Sequence, residues 1–404
     1  MVRTVLHGGQ VFDGTGAPIA DGDVDIEDGR IVEVGTGLDG DVAVDVVGRT
    51  ILPGFFDCHV HVMIDNVDAL ARMAQPFSYK FYVAERALGR ILDCGITTAR
   101  DAAGADLGVK TAVESGLIRG PRLLIAMALL SQTGGHGDSW QPSGFEGNSL
   151  ACYPGMPGWI VDGPDAMRLK IRELIRAGAD QIKLCSSGGV MSPRDNPHHA
   201  HFSPEELEMA VAEARAAGTY VMAHAQAAEG IKNAVRAGIR SIEHGIFLDD
   251  EAIELMLDRG TWLVPTLMAP LSVLEAADAG VAIAEASLEK ARMVVDSHTD
   301  SFRRAAEAGV KVAMGTDAVG IPHGRNLDEL LLMAKNGMPP VDVLRATTSS
   351  AAELTGLDAE LGTIAEGKLA DLVVIDGDPL DFVGLRERIV SVWKDGVEVS
   401  GSLS

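Results

Sequence analysis

The chain has 404 residues, with 34 Lys plus Arg against 58 Asp plus Glu and a formal net charge of −24. That acidity repels phosphate backbones and anionic headgroups, and no basic run offsets it, so no nucleic acid and no membrane surface is expected among its partners. A hydrophobic fraction of 47% describes a globular chain, long enough for one large α/β barrel with an addition or for two ordinary domains. The opening MVRTVLHGGQVFDG breaks at Gly8 and Gly9 before an apolar signal core can form, and no run approaches the roughly 18 apolar residues of a membrane span. A cytoplasmic protein is expected. Cys58, Cys94, Cys152 and Cys185 are widely spaced with no CxxC pair, which reads as reduced, mostly buried thiols.

From Val2 to Val47, short β-rich pieces alternate with Asp-Gly and Gly-Gly turns, the texture of small antiparallel strands. The C-terminus repeats it in LGTIAEGKLADLVVIDGDPL and IVSVWKDGVEVSG, with a hairpin expected at Lys394-Asp395-Gly396. Both ends therefore read as parts of one β module. Between them the rhythm changes: helical stretches end at a glycine and an apolar strand follows at once, in AGADQIKLCSS, AGTYVMAHA, AGIRSIEHG, RGTWLVPTL and AGVKVAMGTDA. ILPGFFDCHVHV, CGITTARDA and GPRLLIAMALLS are earlier strands of the same kind. Ser203-Pro204-Glu205-Glu206 predicts a capping box opening a helix that closes at Gly218. Eight strands alternating with helices over roughly 300 residues predict a (β/α)8 TIM barrel. An open doubly wound sheet is the weaker alternative, since no GxGxxG turn follows the first strand. Long Gly/Pro-containing loops at 131–163 and 186–202 fall on the barrel's C-terminal face, as lids, substrate walls or ordinary surface loops.

Polar residues cluster at the C-terminal ends of these apolar strands. The first ends in His59-Val60-His61, the fourth carries Lys183, the fifth His224, the sixth His244 and the eighth Asp317. In extended backbone an HxH pair turns both imidazoles to one face, where they can chelate a divalent ion. Alone, the pair more often reads as structural. Six such residues at buried strand ends are a stronger pattern, because each unpaired polar group there costs several kcal/mol and all are of metal-ligand type.

The segment DCHVHV, the lysine of QIKLCSSGG, the histidines of MAHA and IEHG and the aspartate of MGTDA resemble the ligand set of the amidohydrolase superfamily, in its binuclear branch with a carboxylated lysine. The likeness runs over nearly the whole chain, through GQVFDGTG, EDGRIVEVG, VGRTILPG, TTSSAAELTGL and LGTIAEGKLADLVVID. RDAAGADLG, ALLSQTGGHGD and LVPTL are similar to the imidazolonepropionase-like group, which includes Xaa-Pro and Xaa-Arg/Lys dipeptidases and ochratoxinase-type amidases.

The resemblance implies a TIM barrel (54–357) with a small β-sandwich domain built from both termini (1–53 and 358–404). It implies that His59, His61 and Asp317 bind the more buried of two divalent ions, zinc foremost, and that His224 and His244 bind the other. Lys183, carboxylated by carbon dioxide, bridges them, and burial favours the neutral amine this requires. The implied reaction on a small-molecule substrate is hydrolysis of a peptide or N-acyl amino acid bond by a hydroxide between the metals. Asp317 carries the proton, and His136 polarises the substrate carbonyl or is a structural loop histidine. Relatives carry a Tyr two residues after the strand-five histidine; here that residue is Gln226. Gln226, Arg194 and Arg325 are therefore the candidates to hold a substrate carboxylate, although each arginine reads more readily as an ordinary exposed side chain. The run Pro197-His198-His199-Ala200-His201 reads as a solvated, mobile loop, and His7, His298 and His323 lack context. A mononuclear deaminase or cyclic-amidine hydrolase is the enzymatic alternative, weakened by Ala227 where those relatives often carry Glu. A non-catalytic scaffold is the other. A homo-oligomer is expected.

Overall fold

The computed structural model describes residues 2–144, 156–192, 194–319, 323–401 and 403. The N-terminal strands are β1 (Thr4–Val11), β2 (Ala20–Glu27), β3 (Arg30–Gly35), β4 (Val42–Asp45) and β5 (Arg49–Pro53). The barrel contributes β6 (Phe55–Val60), β7 (Ile96–Asp101), β8 (Arg122–Ile125), β9 (Leu129–Leu130), β10 (Ile182–Cys185), β11 (Val221–Ala225), β12 (Ser241–His244) and β13 (Trp262–Val264). The C-terminal strands are β14 (Leu372–Asp376), β15 (Ile389–Lys394) and β16 (Val397–Gly401).

The two chain ends meet in one eight-stranded sheet of order β16-β15-β14-β5-β1-β2-β3, with β4 paired to β1. Its joint is the antiparallel β14–β5 pair, and its apolar face buries Leu6, Val24, Ile26, Ile51, Leu372 and Val374. The expected hairpin is formed: Asp395 and Gly396 both have positive φ, the backbone a two-residue turn demands between right-twisted strands.

β6, β7 and β8 form one parallel sheet, and β9 to β13 form another. β8 pairs with β7 and β9 pairs with β10, so the third predicted strand joins the two sheets across a break at Met127, where φ is 63°. The eighth predicted strand closes the ring without forming a regular ladder. Val312 bridges Leu263, Cys58 N donates to Met314 O at 2.9 Å, and Asp317 N donates to His59 O at 2.8 Å. Its extended backbone ends at Asp317, whose φ of 47° turns the chain out of the barrel.

The helix signals hold. Ser203 makes its capping box at the start of the helix Pro204–Ala216, and the five glycines expected to end helices have φ between 65° and 106°. Cys58, Cys94 and Cys185 are buried free thiols, while Cys152 lies outside the described residues. No described helix is long and apolar enough to cross a membrane.

Candidate metal centre

The ends of the barrel strands surround a cavity of about 320 Å³. His59, His61, Lys183, His224, His244 and Asp317 all line it, as does His136 from the loop after β9. Strand alternation accounts for His59, near the end of β6, and His61, just beyond it, whose rings lie 5.4 Å apart. His244 (φ 73°) and Asp317 (φ 47°) sit in left-handed backbone that non-glycine residues rarely adopt, a strain the surrounding barrel must hold.

The tightest group is His59, His244 and Asp317, whose ligand atoms all lie within 4.8 Å of one another. Asp317 Oδ1 is 3.3 Å from His61 Nε2 and 3.7 Å from His59 Nε2. Lys183 Nζ lies 3.4 Å from His59 Nε2, and no carboxylate of a described residue comes within ion-pairing distance of it. The His224 and His244 rings meet edge to face at 4.6 Å.

Each of the four strand histidines is anchored through one nitrogen, and His59 and His61 turn the other toward Lys183 and Asp317. His59 Nδ1 faces Glu243 Oε2 at 2.8 Å, and His61 Nδ1 faces the Ala103 carbonyl at 2.8 Å. His244 Nδ1 faces Thr266 Oγ1 at 2.7 Å, and His224 Nε2 faces the Gly188 carbonyl at 3.1 Å. Oriented imidazoles of this kind are what metal sites use to fix tautomer and ring direction. Burial holds His59, His224 and His244 well below the usual imidazole range and brings His61 down to about 4, so all four are neutral, the ligating form. Burial likewise lowers Lys183 toward the free amine, and pushes the Asp317 carboxyl up to about 7. The donor set therefore fits divalent ions: neutral imidazoles, a carboxylate, and a buried lysine with no counter-charge at contact.

Sequence reasoning missed the layer behind these residues. Glu243 orients His59 and is itself held by Arg100 Nη2 at 2.9 Å and Ser241 Oγ at 2.5 Å, with both charged side chains fully buried. Asp57 takes up Thr316 and Asn326, which fixes the approach to Asp317. Charged letters inside apolar strands, as in ITTARD and SIEH, were the available signal.

The substrate-side candidates separate. Arg194 lines the cavity, its guanidinium 5.6 Å above the Trp140 ring and bonded to Gln141 Oε1 at 2.6 Å. Gln226 lines a smaller adjoining chamber of about 60 Å³, together with His298, whose Nε2 faces the Pro265 and His244 carbonyls. Arg325 is not brought to either cavity: it is half exposed and paired with Glu275 and Asp328 on the surface. His198 and His199 are exposed as expected, but His201 is buried, because its N–H donates to the Ser186 carbonyl and ties this end of the loop to the barrel.

The model of the amidohydrolase family matches residues 50–401. The chain belongs to the amidohydrolase family. Ochratoxinase of Aspergillus niger is 34% identical over 97% of this chain and 86% of its own, and its crystal structure is similar with a TM-score of 0.86. A crystal structure of a Xaa-Pro dipeptidase with methionine bound in its active site is similar at a TM-score of 0.90, with 33% identity over 99% of this chain and all of that one. A prolidase solved with N-methylphosphonate-L-proline gives 0.91, with 37% identity over 99% and 100% of the two chains. This member of the amidohydrolase family is a metal-dependent hydrolase acting on C–N bonds.

Proposed function

We propose that the chain cleaves the amide bond by which an amino acid is joined to a preceding acyl group or residue, as a dipeptidase or N-acyl amino acid hydrolase. The observation that carries this is the convergence of His59, His61, Lys183, His224, His244, Asp317 and His136 on one cavity. Ochratoxinase and prolidase relatives agree with an amino-acid amide as the substrate class.

In this reading His59, His61 and Asp317 would hold one divalent ion and His224 and His244 a second, and Lys183, as a carbamate, would serve both. Zinc is the metal we expect for imidazole-rich ligation. When bound, such ions supply Lewis acidity and bring the pKa of water toward neutrality. The rest is done by the chain. Asp317, which lines the cavity beside His59 and His61, would take the proton released as water attacks and pass it to the departing nitrogen. His136, whose Nδ1 is taken up by Ser192 and Asp195, lines the cavity, and as an imidazolium paired with Asp195 it would donate from Nε2 to the scissile carbonyl as negative charge builds on oxygen. The loop residues Trp140 and Trp159, together with Met191, form part of the cavity wall. We place the domain limits at 1–53, 54–357 and 358–404, and propose a cytoplasmic homo-oligomer.

A hydrolysis screen tests the function: Xaa-Pro, Xaa-Arg and Xaa-Phe dipeptides beside their N-acyl counterparts, with a lactone and a phosphotriester as outliers. Turnover of one amide class is expected. Turnover confined to cyclic amidines or aminopurines overturns the proposal in favour of the deaminase-type alternative.

A further inference from the structure

Unlike the strand histidines, His136 itself stands on a loop, and the residues that take up its Nδ1 lie on a second loop that is held from outside. Its ring lies between two surfaces. On one side it stacks on His224, with centroids 4.2 Å apart and planes 12° from parallel. On the other it rests against Gly189, where an added Cβ would lie 2.3 Å from His136 Cε1. Its Nδ1 faces Ser192 Oγ at 2.6 Å and Asp195 Oδ2 at 3.1 Å. Asp195, whose side chain is 2% exposed, also accepts the Gly189 N–H on Oδ2 at 2.9 Å.

Behind Asp195 stands Lys290, from the helix Glu285–Ala308, which carries none of the proposed ligands. Its ammonium meets Asp195 Oδ1 at 2.9 Å and the carbonyls of Gly189 (3.1 Å), Ser192 (2.6 Å) and Asp195 (2.5 Å). One ammonium thus gathers Gly189, Ser192 and Asp195, three residues that meet the His136 ring. Lys290 does not line the cavity, so it cannot touch substrate directly. An ammonium carries three donors and four acceptors surround it, which leaves it no freedom to turn away.

We propose that Lys290 is a positioning residue for the reaction, acting through Asp195 to hold His136 with Nδ1 turned away from the cavity and Nε2 toward the substrate carbonyl. The proposal rests on the role given to His136 above. Loss of the ammonium leaves Gly189, Ser192 and Asp195 without their common anchor and the Asp195 carboxylate buried beside an unfixed imidazole. A positioned group is effective only within fractions of an ångström of its target, so the deficit falls on the chemical step.

The test is a double-mutant cycle on the metal-loaded enzyme, with an amide substrate taken from the screen, metal content measured for every variant, and kcat and KM determined separately. Lys290→Met is expected to lower kcat about 10- to 100-fold, the usual cost of losing an outer orienting partner, with KM within about threefold and metal content unchanged. Lys290→Arg should recover part of the loss. Combining Lys290→Met with His136→Asn should give an enzyme no slower than His136→Asn alone, because both changes remove the same interaction. If Lys290→Met does not fold, Asp195→Asn takes its place in the cycle with the same expectations. Unchanged kcat, a loss carried wholly by KM or by metal content, or full additivity with His136→Asn overturns the proposal. If His136→Asn slows turnover and Lys290→Met does not, the inference fails while the proposed function stands. If His136→Asn keeps full kcat, the role of His136 itself is wrong.

Discussion

Glu243→Gln separates two consequences of one buried carboxylate. In the native site Oε2 receives His59 Nδ1 at 2.8 Å, and Oε1 receives Arg100 at 2.9 Å and Ser241 at 2.5 Å. An amide in that place offers only one acceptor oxygen. If the oxygen stays with Arg100 and Ser241, the amide N–H₂ meets His59 Nδ1 and favours the tautomer protonated on Nε2, the nitrogen nearest Lys183 and Asp317. If it turns to His59, donors face donors at Arg100. In both cases the Arg100 charge loses its counter-ion in a site with no solvent, a change that costs about 3–5 kcal/mol. Loss of an orienting carboxylate behind a metal-binding histidine costs 10- to 100-fold in metal affinity, or about 1.4–2.7 kcal/mol. Denaturant unfolding of the metal-free protein reads the first term, and competition with a chelator reads the second. Adding Arg100→Met to Glu243→Gln should restore much of the stability and none of the metal affinity. A Glu243→Gln protein that binds metal within twofold of wild type would refute the claim that this carboxylate fixes His59.

Lys183→Ala should remove most activity, and short carboxylic acids added to the assay should restore part of it; unchanged turnover in that variant contradicts a role for the lysine at the metals. Gly189→Ala places a Cβ into the His136 ring and should lower kcat at least about tenfold with metal content intact, whereas wild-type kcat would show that the ring need not lie where it does. Glu329 is buried and its carboxyl is pushed up to about 8 by that burial, so between its unfolded and folded pKa values the native state keeps a proton that the unfolded state releases. Stability contributed there is present at low pH and falls as pH rises toward 8, with a slope of at most about 1.4 kcal/mol per pH unit. Glu329→Gln should flatten unfolding free energy against pH over that window, and an unaltered slope would place the proton elsewhere.

How much of this was legible in the letters depended on the range of the interaction. His59 and His61 could be read together because strand alternation is local, and the β module could be read because Asp395-Gly396 and its like specify turns. The order of polar strand ends gave the site its ligand types through position alone. Glu243 and Arg100 are each visible as charges in apolar strands, but they pair across 143 residues, and only barrel closure decides which charges meet. His298 was opaque for a similar reason, since its packing behind His244 depends on how a long helix is rotated against the barrel. The break in the third strand had no glycine to announce it, because Met127 itself adopts the positive φ. Arg325 was misleading: loop position suggested the cavity, and two nearby carboxylates hold it on the surface instead.

The most direct measurement of the central claim is the number of divalent ions bound per chain after reconstitution with zinc and bicarbonate, in wild type and in Lys183→Ala. The account predicts about two in wild type and a clear fall in the variant, with amide turnover following occupancy. Fewer than about one and a half ions in the wild type, or the same number in both proteins, would contradict it.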